Sequence, residues 1–202
     1  MSPNRTPTDL DANDDRLLKR DAVLTVILCL IAGVMFILLL WDKPFPSPDF
    51  YSFAQASRDI AHAQRTESKY PPGLSFLLIP FLPWGTNAQA IAAQVLNVFS
   101  ALGFALSLYL LCRHMRLPAS SVCLALTLFN RYTIQATMSG TAHIPFLFLS
   151  TACLVSVLHK RWALAYALAG ASTLFRYNGV LIPILVGIWH LATLTSQTKD
   201  IP

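Results

Sequence analysis

"AVLTVILCLIAGVMFILLLW", residues 22–41, runs for twenty positions without a charged side chain. A helix rises about 1.5 Å per residue, so about twenty residues cross the roughly 30 Å hydrocarbon core of a bilayer. A stretch apolar all round over that length has lipid as its natural solvent, and Trp41 is suited to the membrane–water boundary. Met1 to Asp21, in front of it, is polar with Pro, Asn and Asp, and reads as a disordered cytoplasmic tail. The tail is too long and acidic for the charged start of a signal peptide. No small-residue cleavage site follows the apolar run, so a retained anchor is expected.

Further apolar runs follow on the C-terminal side. A second span is expected from Ala88 to Cys112, and a third from Ser120 through Phe129 after the basic connector "RHMRLPAS". A fourth covers Thr141 to Leu158 and stops at "HKR". A fifth starts at Trp162, and a sixth, with Pro183 inside it, ends near Leu194. Trp162 to Leu194 would make one helix of about 50 Å, too long for a single crossing, while each half alone is short. The whole chain is 54% hydrophobic and 12% charged with mean hydropathy +0.52, about half the charge of a soluble domain. The fold class expected is all-α: a polytopic helical membrane protein of about six transmembrane helices, with an outer interfacial helix after the first. Its parts are a tail over 1–21, a membrane domain over 22–194 with an outer loop over 42–87, and a cytoplasmic tail over 195–202.

The net charge of +5 does not point to nucleic acid, because the cations stand in ones and twos at the ends of apolar runs. Arg16, Lys19 and Arg20 precede the first span, Arg113 and Arg116 follow the second, and Lys160 and Arg161 follow the fourth. Six crossings put these clusters and Lys199 on one side, which the positive-inside rule makes cytoplasmic. The loop after the first span then faces outward, with Arg131, His143 and Arg176. Cys29, Cys112, Cys123 and Cys153 all lie in apolar runs, show no ligand spacing, and read as small buried hydrophobes.

The outer loop carries the chemistry. From Asp49 onward, Phe50, Phe53, Ala54, Ile60 and Ala61 fall at helical spacing, with Arg58, Asp59 and Gln64 elsewhere around the wheel. This predicts an amphipathic helix over about 49–65, lying in the interface with its apolar side toward lipid. Asp49 at its start is either a cap facing the helix's positive end or an acid kept for reaction. Pro71 and Pro72 force a turn, and "GLSFLLIPF" is long enough to dip into the membrane but not to cross it. Lys69 is left at head-group height, where the plain alternative is snorkelling. Arg176, among apolar spans, is costly and hence a functional candidate, or else the cap of a short helix. On the second span Gln94, Asn97, Ala101 and Ala105 fall near one face, which helix packing explains.

An uncharged first span, then "PDFYSFAQASR", "YPPGLSFLLIPF" and "LAGASTLFRYNGVLIPIL", together resemble the N-terminal part of the C-type (GT-C) membrane glycosyltransferases. That group contains the protein O-mannosyltransferases and the lipid A aminoarabinose transferases. The resemblance covers roughly Ala22 to Trp189 and rests on order and spacing, since no single motif is specific. It implies an integral protein of a cytoplasmic or reticulum membrane that transfers a sugar from a polyprenyl-phosphate carrier to an acceptor outside the cytoplasm. Asp49 matches the loop acid taken as catalytic base. Such a base must lie within hydrogen-bond reach of the acceptor, while the departing lipid phosphate needs a cation. Lys69 lies one residue from the family's phosphate-contacting lysine, and Arg176 matches the basic residue of an "L-x-R-x-N/P-G" stretch. Tyr51 and Tyr70, in the same matching stretches, are taken as substrate contacts. Where many relatives carry a second acid, this chain has Ala142 and His143. His143 is a substrate contact, a metal ligand or a polar anchor, so a divalent cation stays open as cofactor.

The chain is short against that group. It reads as a fragment, a small archetype, an inactive remnant or one half of a split enzyme, and in the last case a second subunit completing the fold is an expected partner, beside membrane lipids and the lipid-linked sugar. The alternatives are a non-catalytic subunit binding a lipid-phosphate carrier and, last, a small transporter.

Overall fold

A computed structural model describes residues 7–42, 46–66, 69–117 and 120–198, the side chains of 7–18 and 196–198 excepted. The first helix, α1, is Pro7–Trp41. It takes in Pro7 to Asp21, where a disordered tail was expected. Proline costs nothing at a first helical position, and propagation from the long apolar run adds a bond per residue. The apolar part of α1 remains the span foreseen.

The described residues are helical, without strands, and three stretches are long and apolar enough to cross a membrane: Lys19–Trp41, Gly73–His114 and Tyr177–Thr195. A fourth is counted if Arg131–Met138 and His143–Leu158, bent by 114° to one another, are taken together. Six full-length spans are not found. The expected third is broken into α5, Ser120–Leu128, and α6, Arg131–Met138, because Asn130 caps a new helix by accepting the Tyr132 N–H at 2.8 Å. The fifth, α8, is Trp162–Phe175, about 21 Å long for its 14 residues. A 3-10 turn at Tyr177–Val180 separates it from α9, Leu181–Thr198. The tail expected from residue 195 is therefore helical through Thr198. Met1 to Thr6 and Lys199 to Pro202 lie outside the described residues.

The outer loop folds back as α2, Pro48–Ala61, then α3, Gly73–Leu78, and a 3-10 turn at Ile79–Trp84, before α4, Gly85–His114. Pro80 and Pro83 lack the N–H groups an α-helix would use there, and Gly85 at φ +83° makes the corner into α4. The apolar face of α2 does not lie on lipid, as its amphipathic pattern had predicted. Phe50, Phe53 and Ala54 are buried against Leu74, Leu78, Ala90, Ala93, Ala142 and Phe175. The same pattern serves a protein surface when α3 folds beneath it. Polar bonds fix the contact: buried Gln89 donates to Ser57 Oγ at 2.8 Å and to the Leu78 carbonyl at 3.3 Å, and Arg58 donates to Thr86 Oγ1.

α4 and α7, His143–Leu158, form the centre, with Gly103 so close to Phe148 that an added Cβ would meet its ring at 2.6 Å. Ala32 and Phe36 of α1 pack with Ala101, Ala105, Leu124 and Leu128, and α7–α9 share Cys153, Val157, Ala165 and Val186. All four cysteines are free thiols. The His114 and His159 rings stand 5.6 Å apart, and Asp21 accepts the Ser121 N–H at 3.3 Å. Lys19, Arg20, Arg113, Arg116, Lys160 and Arg161 thereby gather at one end, while α2, α3 and the starts of α4 and α7 make the other.

Candidate functional site

At that other end a cavity of about 210 Å³ is lined by Asp49, Phe53, Lys69, Tyr70, Pro71, Thr141, Ala142, His143, Phe175, Arg176, Tyr177 and Asn178. Residues separated by up to 129 positions in the chain thus converge on one space, and five of the six site residues read from the sequence are among them. The sixth, Tyr51, is exposed and stands edge-on to Phe50 at 5.6 Å. Helical geometry explains the difference. Asp49 and Phe53, four apart, share a face of α2, and a residue two beyond Asp49 points to the far side.

Each polar group is delivered by a distinct local device. Ser47 occupies the cap position of α2, with Pro48 at the first turn and Asp49 just inside it. No side-chain cap bond forms there, so Asp49 is not the cap. It lies in the first turn of the helix, beside its positive end. The Ser47 N–H donates to the Ser139 carbonyl at 3.0 Å, tying the start of α2 to the break before α7. That break has its own fittings. Gly140 sits at φ +68°, and the carbonyls left open at the end of α6 accept from α4: Met138 from Gln94 at 2.9 Å and Ala136 from Asn97 at 3.3 Å. The amides expected only to pack helices therefore cap a broken one.

His143 opens α7 on the cavity side of this break, half-buried, with a fully buried Nδ1 that has no hydrogen-bond partner. Its charged neighbours are Arg176 and Asp49, of opposite sign. Arg176 follows α8 on extended backbone, φ −147° and ψ 138°. Two glycines hold that linker. A Cβ on Gly73 would lie 2.4 Å from the Leu174 carbonyl oxygen, and one on Gly179 would lie 2.7 Å from that of Ser172. The Arg176 guanidinium lies 5.9 Å from the Phe146 ring centroid and, among the described residues, bonds no carbonyl of α8. That disfavours the helix-cap alternative. Lys69 is exposed, its ammonium 5.0 Å from the Tyr70 ring, which stacks on Phe53 at 4.9 Å.

No family model matches the chain, nor does any curated protein or solved structure. What the site does is read from its own chemistry. It holds one carboxylate, two cations, an imidazole and aromatic walls from Tyr70, Phe175 and Tyr177. Among the described residues Asp49, Lys69 and Arg176 make no ion pair with each other. Among the described residues, charges of both signs thus line an open cavity without pairing to one another. No group of three or more metal-binding side chains occurs among the described residues, so His143 has no ligand set around it.

The sequence reading missed Tyr177, Asn178 and Thr141. The first two lie inside the quoted "LFRYNG", beside Arg176, and adjacency was the available signal. Thr141 carried none, because its position depends on the helix break.

Proposed function

We propose that this cavity binds the phosphate of a polyprenyl-phosphate sugar and transfers the glycosyl group to an acceptor outside the cytoplasm. The observation that carries the reading is the convergence of Asp49, Lys69, His143 and Arg176 on one space at the end away from the basic clusters. Lys69 and Arg176 oppose the phosphate's charge as the anomeric bond breaks and its bonding pair passes to the lipid phosphate oxygen. Asp49 takes the proton of the acceptor hydroxyl or amine as that group attacks the anomeric carbon. His143, which lines the cavity, presents its imidazole to the ligand. Tyr177, exposed at the cavity wall, offers an aromatic face to the sugar.

In this reading the chain traverses the bilayer six times, some passes being short, broken helices. Its basic end and N-terminus are cytoplasmic by the positive-inside rule, in an inner or reticulum membrane. The cavity then stands at the outer head groups, where a lipid-borne phosphate lies.

A second reading, a carrier-binding subunit without turnover, draws on the cavity's size. About 210 Å³ is small beside the roughly 300–1,000 Å³ of ordinary ligand sites and leaves little room for an acceptor beside a phosphorylated sugar. One experiment separates the two. Purified protein and its Asp49→Asn variant are assayed for binding and turnover with a panel of polyprenyl-phosphate sugars. The catalytic reading expects the variant to bind donor and to lose transfer by about 100-fold or more. Binding by both proteins with turnover by neither makes the chain a carrier-binding subunit, and absence of binding removes both readings.

A further inference from the structure

The end opposite the cavity carries a second built feature, independent of the proposed transfer. α4 and α7 finish side by side, their His114 and His159 rings 5.6 Å apart, and both finish in the same way. Leu117 N–H donates to the Cys112 carbonyl and Arg116 N–H to that of Arg113, each at 3.0 Å. Arg161 N–H likewise donates to Ser156 and Lys160 N–H to Val157, each at 2.9 Å. Both are turns in which one residue adopts the left-handed conformation that glycine normally supplies. Here those residues are cations: Arg116 at φ 55° and Lys160 at φ 56°.

We propose that these twinned helix ends form a binding site for the headgroup of an anionic phospholipid. Backbone groups already satisfy the helix carbonyls, so the side chains of Arg113, Arg116, Lys160 and Arg161 are not needed as caps. All four are exposed and, among the described residues, none forms an ion pair. His159 spends its Nδ1 on the Val155 carbonyl at 2.8 Å and keeps Nε2 available. Among described side chains the one acid at this end is Asp21, which accepts the Ser121 N–H. A lipid fits better than a soluble anion, because exposed Leu110, Met115, Leu117 and Leu154 adjoin the cations and acyl chains would cover them.

The left-handed positions give a test that separates binding from folding. Arg116→Gly with Lys160→Gly removes two charges and also relieves the backbone, so this variant should unfold at the wild-type temperature or above. Wild type and variant are purified from mixed phosphatidylglycerol and phosphatidylcholine nanodiscs, and retained lipid is counted by mass spectrometry. Wild type is expected to enrich phosphatidylglycerol. The glycine pair should lose that enrichment by at least about tenfold, taking the surface attraction of a lysine or arginine as roughly fivefold each. Arg113→Gln with Arg161→Gln should lose it as well, whereas Lys19→Gln with Arg20→Gln, removing equal charge at α1, should keep it. Equal retention of the two lipids, an unchanged glycine pair, or an equal loss in the α1 variant would overturn the proposal. So would full displacement by soluble glycerol phosphate, which would mark a free-phosphate site instead.

Discussion

Replacing Gly73 by alanine tests whether the cavity is held together from outside its lining. The added Cβ would lie 2.4 Å from the Leu174 carbonyl oxygen, 2.7 Å from its carbon and 2.8 Å from its Cβ. Backbone cannot rotate aside as a side chain does, so α3 or the end of α8 must retreat by about 1 Å to reach ordinary contact. Lys69 is four residues before Gly73 and Arg176 two after Leu174, so the retreat separates the two cations that oppose the phosphate. Overpacking of this kind costs about 1–3 kcal/mol of stability, and a misplacement of about 1 Å can cost on the order of 100-fold where groups act together. Gly170→Ala, on α8 with Leu174 and with nothing within 4 Å of its added Cβ, is the control and should gain up to about 1 kcal/mol from helix propensity. The assay is affinity for polyprenyl phosphate alongside thermal unfolding in detergent. If Gly73→Ala matched Gly170→Ala in both, the coupling between this contact and the cation pair would be refuted.

Gln89→Leu keeps volume but removes the bonds to Ser57 and Leu78. It should cost about 1–3 kcal/mol and raise hydrogen exchange in α2 above that in α7. Gly140→Ala forces a side chain into φ +68° with Phe50 at 3.4 Å. A loss of about 1 kcal/mol in thermal unfolding is expected, and Gly140→Asn, which tolerates that conformation better, should lose less.

What the sequence made legible follows from what each pattern depends on. A helix long and apolar enough to cross a membrane needs only an uncharged run of sufficient length, and that much of α1 was legible. Asp49, Lys69, Tyr70, His143 and Arg176 line one cavity; Arg176 stood out as a charge among apolar spans, and the other four were singled out by the order and spacing of the quoted stretches. The partner of an amphipathic face is a different kind of fact. Phe50, Phe53 and Ala54 have the same spacing whether lipid or α3 covers them, and the glycine contact that brings α3 under α2 is long-range. About six spans were expected for a related reason. Apolar composition counts residues, but continuity of a helix depends on local capping, here by Asn130, which accepts the Tyr132 N–H.

The break before α7 shows how the buried amides of α4 bear on the site. Ending α6 at Met138 exposes backbone carbonyls, and an unsatisfied backbone group in hydrocarbon costs several kcal/mol. Such a break is tolerable only against protein that can donate, and Gln94 and Asn97 are the donors. What the arrangement gains is a helix that starts at the cavity. Were α6 to continue straight into α7, residue 143 would sit in mid-helix with its backbone N–H already bonded, and α7 would present no positive end to an anion. Bent by 114°, the chain brings the start of α7 and His143 together beside Asp49 and Arg176. The same helix α4 supplies Gln89, which holds α2 and hence Asp49. A few amides on one otherwise apolar helix thus position both the acid and the imidazole of the site.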